Sequence, residues 1–224
     1  MLRFSQFLEE GVNDPAIFKA IFLAGGPGSG KSFMIGQTAL TSLGFRLVNS
    51  DHAFEIAMKK AGEEMSPEFI GSDKGQSMRN AAKTLTGKQQ ELYLKGRLGV
   101  VIDGTGRDYA KISSQANQMK KLGYDVGMLF VNTNLETAKD RNQARARTLP
   151  DDVVTGSWND VQNNIGKFQS FFRQNMMIVD NSDGADWKSG TMKGFKWATK
   201  FAKQPPQNAA AIKWIASQKK GRAV

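Results

Sequence analysis

The fold of this 224-residue chain is decided by the stretch Gly25-Gly26-Pro27-Gly28-Ser29-Gly30-Lys31-Ser32. The stretch matches the phosphate-binding pattern G-x-x-x-x-G-K-[ST] in full, and it follows an apolar run and precedes a predicted helix, Lys31–Leu43. Glycines in such a loop let backbone N–H groups curl around phosphate oxygens, and the helix N-terminus adds a positive dipole. We expect Lys31 to reach the β- and γ-phosphates of ATP, and the Ser32 hydroxyl to coordinate Mg²⁺.

Five short apolar runs predict a parallel sheet around this loop. Each run is rich in Val, Ile, Leu, Met or Phe without alternation, as expected of strands covered on both faces. The spacers are long enough for the helical crossovers that parallel strands require. The alternation of strands and helices therefore predicts a three-layer α/β fold, a sheet between two layers of helices. The runs are Ala20–Ala24, Arg46–Asn49, Gly99–Asp103, Asp125–Val131 and Met176–Asp180.

Composition divides the chain into three regions. Residues 1–17 precede the first strand, residues 18–184 hold the α/β core, and residues 185–224 form a basic tail. An insert at 58–95, between the second and third strands, is expected to shape the acceptor pocket. Within the insert we predict a helix start capped by Ser66 with Pro67 in its first turn, a loop at 71–75, and helices at 77–85 and 88–95.

The net charge of +10 is concentrated in the tail, where residues 185–224 carry nine Lys/Arg and the single acid Asp186. Two tail helices are predicted, Thr191–Lys203 and Asn208–Lys219. The lysines of the first helix share one face, which either contacts a polyanion such as nucleic acid, lies on an anionic membrane, or stays in water while the helix docks on the core. These lysines are Lys193, Lys196, Lys200 and Lys203, flanked by Phe195, Trp197 and Phe201.

The residue inventory excludes several classes of site. The chain has no cysteine, which rules out disulfides, thiolate catalysis and cysteine-ligated zinc, and its single histidine, His52, rules out histidine-rich metal sites. No apolar run approaches the length of a membrane span, and no signal peptide is visible. We therefore expect a soluble protein of the cytoplasm, or one carried in a particle assembled inside a cell.

Asp51 follows the second predicted strand. Residues just beyond the carboxyl ends of parallel strands line the ligand crevice of an open α/β sheet, so this carboxylate is placed to orient an acceptor hydroxyl and take its proton. The alternative is a helix N-cap, because aspartate is a favoured cap and 53–60 reads as a helix. Both roles are compatible only if Ser50 supplies the cap.

Asp103 ends the third strand and is followed by Gly104-Thr105-Gly106. An acid directly after an apolar strand is the pattern that holds Mg²⁺, directly or through water, in proteins with a phosphate-binding loop. The glycines allow a ligand to approach the backbone closely. Arg107 is a candidate for contact with substrate or phosphate.

Three arginines follow the fourth strand: Arg141, Arg145 and Arg147. The first two share a helix face, and the third is rotated away. Phosphoryl transfer spreads negative charge over equatorial oxygens, which mobile arginines stabilise. The alternative is a solvated basic helix.

In their order along the chain, these motifs resemble those of the kinases that include zeta toxins and the 5′-kinase domain of phage polynucleotide kinase. The resemblance covers approximately residues 18–181 and implies that Asp51 is the catalytic base and that Asp103 lies near metal and substrate. It implies that Arg141 and Arg145 are lid arginines around the triphosphate. It also implies a sheet in the order 2-3-1-4-5 and transfer of the γ-phosphate of ATP to a hydroxyl group.

One position differs from this family. Polynucleotide kinases carry an arginine three positions after the catalytic aspartate, and here Phe54 stands there, which weakens the case for a nucleic-acid 5′ end. The acceptor stays open among a nucleotide, a nucleotide sugar and a nucleic-acid 5′ end. The alternative function is a nucleotide-binding structural or packaged phage protein with little turnover, which binds a particle or nucleic acid through its tail.

The N-terminus resembles the short capsid-targeting peptides of internal head proteins in T-even-type phages. Leu8-Glu9-Glu10 stands where those peptides have their cleavage site, which implies removal of residues 1–10. The alternative is an amphipathic helix that packs Phe4, Phe7 and Leu8 against the body.

Overall fold

The computed structural model describes residues 12–64, 66–144 and 148–220. Its centre is a sheet of five parallel strands in the order β2-β3-β1-β4-β5, which confirms the order that the family resemblance implies. All five predicted strands are confirmed, and their ends move by one residue at most. The strands are β1 (Lys19–Ala24), β2 (Phe45–Val48), β3 (Gly99–Asp103), β4 (Asp125–Asn132) and β5 (Met176–Asp180).

Helices connect the strands and cover both faces of the sheet, which confirms the three-layer prediction. Within β1, Phe22 points into one hydrophobic cluster together with Phe168 and Ala211, and the neighbouring Ile21 points into a second cluster on the opposite face. The helices are α1 (Lys31–Gln37), α2 (Ser50–Ala61), α3 (Pro67–Gly71), α4 (Asp73–Lys95), α5 (Tyr109–Lys121), α6 (Leu135–Gln143), α7 (Asp151–Phe172), α8 (Trp187–Lys203) and α9 (Ala209–Lys220).

The insert between β2 and β3 is a small helical subdomain with its own core. Phe54 of α2, Ile70 of α3 and Ala82 of α4 pack together in a third hydrophobic cluster. The expected cap is confirmed, because the Ser66 hydroxyl accepts a hydrogen bond from the Phe69 N–H. The insert therefore stands beside the sheet on the side of β2, where it forms one wall of the cleft described below.

Two helix predictions are wrong. Residues 73–75 of the expected loop and the two helices predicted after it form one helix, α4, whose N-terminus is capped by Ser72. Gly75 marks the close approach of α4 to the backbone of Phe69, where a Cβ atom would collide, and not a flexible loop. Similarly, α1 ends at Gln37 and not at Leu43, because Ala39 adopts a positive φ of 46° and starts a series of turns.

The basic tail packs on the core. In α8, Ala198 and Phe201 are buried against the face of the sheet that α1 also covers. The segment between α8 and α9 is anchored at Asp125, which forms a 2.6 Å ion pair with the buried Lys19 and accepts the Gln207 N–H at 2.9 Å. No helix within the described ranges is long and apolar enough to cross a membrane.

Candidate functional site

The phosphate-binding loop lies between β1 and α1, at the carboxyl edge of the sheet. Gly28 has φ 74° and lies against the backbone of Ala138 in α6, so that a Cβ atom there would overlap the Ala138 carbonyl oxygen. Gly30 has φ 82° and lies immediately before α1. The left-handed backbone and the close packing together explain why these positions require glycine.

Two contacts fix the loop from the sides. The Lys31 ammonium donates to the Gly25 carbonyl at 2.7 Å, which holds the side chain over the loop. The Asn181 side-chain amide, just after β5, donates to the Ser29 carbonyl at 2.8 Å. The loop is thus supported by the residue that follows β5, the second strand from β1 in the sheet, as well as by its own lysine.

An open cleft of about 620 Å³ begins at this loop and extends towards the insert. One wall is the loop itself, with Lys31 and Ser32, and the opposite wall is formed by α2 and α4. Asp103, at the end of β3, lies between them. The cleft therefore brings together eight of the predicted site residues: six from the phosphate-binding loop, and Asp51 and Asp103. The lining residues outside the loop are Leu47, Asn49, Asp51, His52, Glu55, Arg79, Asp103, Asn142 and Leu149.

Asp51 lies at the first turn of α2 with its carboxylate 70% exposed. It does not serve as the helix cap. Asn49 does, since its side-chain oxygen accepts the N–H groups of Asp51 and His52 at 2.8 and 3.1 Å. The sequence left open whether Asp51 caps the helix or faces a ligand. The cap is Asn49 and not Asp51 or the expected Ser50. The carboxylate is available to a molecule in the cleft.

Asp103 is half-buried at the base of the cleft. Its Oδ2 accepts the Asn49 side-chain amide at 2.7 Å, whereas its buried Oδ1 has no hydrogen-bond partner. Burial raises the pKa of the Asp103 carboxyl above its ordinary value, although the Lys31 charge acts in the opposite direction and the Asp51 charge adds to the rise. An unsatisfied carboxylate oxygen at a cleft floor is a group that a cation or its water would satisfy.

These residues fit a magnesium ion bound mainly through a nucleotide. Within the described ranges, no cluster of three or more His, Asp and Glu side chains could hold a metal alone. Mg²⁺ typically uses one or two protein oxygens together with phosphate oxygens and water. Asp103 Oδ1 and the exposed Ser32 hydroxyl supply that number of protein oxygens.

Arg141 lies beside the phosphate-binding loop, on the side of the loop away from Asp51. Its guanidinium donates to the Asn181 carbonyl at 2.8 Å and to the Asp183 carboxylate at 2.5 Å. It lines a second cavity, of about 700 Å³, together with the edge-to-face pair Phe33 and Trp187. Arg141 thus lies near the phosphate-binding loop but outside the cleft that holds Asp51.

The two remaining arginines of the predicted site are Arg145 and Arg107. Arg145 lies outside the described residues, so its expected role as a lid arginine stays a prediction. Arg107 forms an ion pair with Asp160 of α7 at 3.0 Å and does not line the cleft. The geometry gives no support to its expected contact with substrate.

Sequence reasoning missed three residues of the site. Asn49 was assigned to the end of a strand, although an asparagine before Ser-Asp at a helix start is a favoured cap. Asn142 hydrogen-bonds both the N–H and the carbonyl of Leu149, which ties the two ends of the segment between α6 and α7 together. Arg79 reaches the cleft from α4, and no local pattern in the sequence distinguishes it from other exposed charges of that helix.

Several solved structures share the fold at low sequence identity. The PezAT toxin–antitoxin system of Streptococcus pneumoniae matches with a TM-score of 0.53 and 16% identity, covering 98% of this chain and 93% of that chain. The AvrRxo1-ORF1:ORF2 complex with ATP matches at 0.52 and 14%, covering 81% and 63%. The Pnkp1/Rnl/Hen1 RNA repair complex matches at 0.51 and 21%, covering 67% and 46%. No curated protein matches the sequence.

A protein-family model described as an AAA domain, AAA_33, matches residues 21–167. The match spans the phosphate-binding loop, Asp51, Asp103 and Arg141, and it covers more than half of the chain. Together with the sheet order and the position of the loop, it shows a P-loop fold of the kinase-like type. The chain belongs to the AAA domain family AAA_33.

Proposed function

We propose that this protein is an ATP- and Mg²⁺-dependent kinase that transfers the γ-phosphate to a hydroxyl of a nucleotide, a nucleotide sugar or a nucleic-acid 5′ end. One observation carries the proposal: Lys31 of the phosphate-binding loop and the exposed carboxylate of Asp51 line the same open cleft. A triphosphate on the loop would direct its terminal phosphate towards the wall that carries Asp51.

The residues divide the work of an in-line transfer. Asp51 orients the acceptor hydroxyl and takes its proton, while the new bond forms between the acceptor oxygen and the γ-phosphorus. The bond to the β–γ bridging oxygen breaks, and ADP leaves with that oxygen. Lys31 neutralises charge on the β- and γ-phosphates, and the loop N–H groups bind their oxygens.

Asp103 and Ser32 would hold Mg²⁺, which supplies neutralising charge to the phosphates when it is bound. Asn49 keeps one oxygen of Asp103 engaged and leaves the other without a hydrogen-bond partner. Arg141 would contact the nucleotide on the side away from the acceptor, and Arg145 would approach the phosphates from the segment between α6 and α7.

The test is a transfer assay with γ-labelled ATP, Mg²⁺ and a panel of nucleosides, nucleotides, UDP-sugars and 5′-hydroxyl oligonucleotides. We expect Asp51→Asn to lower kcat by roughly 10²- to 10⁴-fold, because the proton acceptor is lost, while ATP affinity is retained. Lys31→Ala should instead weaken ATP binding. Undiminished transfer by Asp51→Asn would contradict the assignment of the base.

A second candidate function is a packaged or structural protein that binds ATP with little turnover and holds a polyanion through α8. What favours it is the set of exposed lysines on α8, a helix without any acidic residue. ATP binding without label transfer to any acceptor, combined with salt-dependent binding of nucleic acid, would select this candidate. Its N-terminal targeting peptide, residues 1–10, lies outside the described residues and stays a prediction.

A further inference from the structure

Arg79 lines the cleft, and the proposed mechanism gives it no role. It lies on α4, in the insert, and reaches the cleft from the wall opposite the phosphate-binding loop. Among the described residues that line the cleft, Lys31 and Arg79 are the lysine and arginine side chains. Lys31 belongs to the triphosphate, so Arg79 is the cation of the acceptor side.

The guanidinium of Arg79 has hydrogen-bonding capacity to spare. Its Nε atom is buried and has no partner, and the side chain as a whole is 30% exposed. Its Nη2 atom forms an ion pair with Asp51 Oδ1 at 3.9 Å, a distance too long for a hydrogen bond. A buried donor without a partner costs free energy unless a ligand satisfies it, so this arginine is poised for an anion that enters the cleft.

The chemistry of the group points to the anion. A guanidinium presents parallel N–H donors that match the two oxygens of a carboxylate or a phosphate, whereas a neutral hydroxyl can accept only one of them. Because Arg79 lies beside Asp51, the anionic group must be close to the hydroxyl that is phosphorylated. We infer that Arg79 binds a phosphate or carboxylate group of the acceptor, so that the substrate is an anionic hydroxyl compound; this inference rests on the proposed kinase function.

A different role is possible for an arginine in this position, namely to hold the Asp51 carboxylate in place. The two roles differ in what they affect. An arginine that only positions Asp51 would change kcat for neutral and anionic acceptors alike. Replacing an arginine that binds the acceptor would change KM for anionic acceptors, and with it the preference for anionic over neutral acceptors.

The first experiment compares acceptors in pairs that differ in one anionic group: nucleosides with their monophosphates, and sugars with their sugar acids. We expect the wild type to prefer the anionic member, and Arg79→Gln to raise its KM roughly ten- to a hundredfold and reduce that preference. Lys83→Gln removes the same charge from an exposed position of α4 and should change neither. The two pair types distinguish a phosphate from a carboxylate.

Either of two results would overturn the inference: preference for the neutral members, or equal kinetics for Arg79→Gln and wild type. Arg79→Lys should recover part of the effect, since it keeps the charge but loses the paired donors. Transfer by the wild type to a neutral acceptor alone would refute this inference and leave the kinase proposal intact.

The second experiment does not need turnover. The Arg79 Nε–H resonance is identified by its absence in Arg79→Lys, and methyl phosphate or acetate is titrated into protein saturated with Mg²⁺ and a non-hydrolysable ATP analogue, which occupies the loop. We expect a saturable shift of this resonance with at least one anion. A resonance that stays fixed while the anions are added would refute the inference, even if no acceptor in the panel is phosphorylated.

Discussion

At the scale of single residues, Asp103 shows how the fold accepts a local cost at the site. The carboxylate is partly removed from water, one of its oxygens has no partner, and the Asp51 charge lies in the same cleft. Each of these features disfavours the ionised form, and the raised pKa expresses that cost. A bound cation would offset this cost, so the ionised Asp103 carboxylate destabilises the free protein but would stabilise the complex with the cation.

The pH dependence of stability follows from the sign of this shift. Because the pKa of Asp103 is higher in the folded state than in the unfolded chain, its contribution destabilises the fold at neutral pH and disappears once the pH falls below the unfolded pKa. Asp103→Asn should therefore be more stable than the wild type at neutral pH, by a margin that shrinks on acidification. Urea denaturation at several pH values measures this margin.

The control for that experiment is Asp160→Asn, which neutralises an exposed carboxylate outside the cleft. Its effect should be small at every pH, as for most surface ion pairs. A second readout is the stabilisation by Mg²⁺ and ATP, which should be smaller for Asp103→Asn than for the wild type. A margin that grows as the pH falls would show that the sign of the shift is wrong.

At the scale of secondary-structure elements, Asn49 couples the start of α2 to the end of β3. Its side-chain oxygen caps the helix that carries Asp51, and its amide donates to Asp103. One side chain thus sets the relation between the proposed base and the proposed metal ligand. Loss of the cap alone typically costs about 1 kcal/mol, and loss of a hydrogen bond to a half-buried carboxylate adds a similar amount.

We expect Asn49→Ala to lower the free energy of unfolding by about 2 kcal/mol and to reduce kcat for phosphoryl transfer. Asn49→Ser should regain at most about half of this loss, because serine is also a favoured cap but does not restore the contact with Asp103. The matched control is Asn208→Ala. At the start of α9, the Asn208 side chain likewise accepts a backbone N–H, from Ala210, and donates its amide to another element, here to the backbone carbonyl of Lys120.

Chemical denaturation and the transfer assay together decide the outcome. Asn208→Ala should lower stability and leave kcat unchanged, because it lies at the opposite edge of the sheet, near the start of β4. If both variants lose activity in proportion to their loss of stability, Asn49 has no special role in the site.

The elements also show what a sequence can and cannot predict. The strands were predictable because buried parallel strands read as short continuous apolar runs, and the position of the phosphate-binding loop followed from its spacing. The insert was not, since Gly75 looks like a loop residue until the contact with Phe69 is known. The position of Asp51 and Asp103 at the cleft was predictable because both residues follow the ends of predicted strands. The position of Arg79 was not, because it depends on how α4 packs along α2.

In the whole molecule, the exposed lysines of α8 and the cleft with the proposed catalytic residues lie on different surfaces. The cleft opens at the carboxyl edge of the sheet, between the loop and the insert. The buried face of α8 completes the layer that α1 begins, and its lysines remain exposed on the opposite side of the helix. These lysines are therefore not part of the hydrophobic core. Replacing them tests the role of the surface charge of α8 without altering the residues of the cleft.

We predict that replacing the α8 lysines by glutamine weakens binding of labelled single-stranded DNA and leaves the denaturation midpoint nearly unchanged. If these lysines contact phosphates, the salt slope of the binding constant should fall by up to about three units, since each lost contact with single-stranded DNA removes roughly 0.7. Fluorescence anisotropy over a salt series measures it. The replaced residues are Lys193, Lys196, Lys200 and Lys203.

The control for this experiment is a variant with the same change in net charge at lysines outside α8. Four exposed lysines outside α8 serve, and their replacement should leave the salt slope close to that of the wild type. Equal losses in both variants would mean that DNA responds to the overall positive charge and not to α8. No binding by the wild type even at low salt would exclude a nucleic-acid role for this face. The control residues are Lys88, Lys95, Lys111 and Lys121.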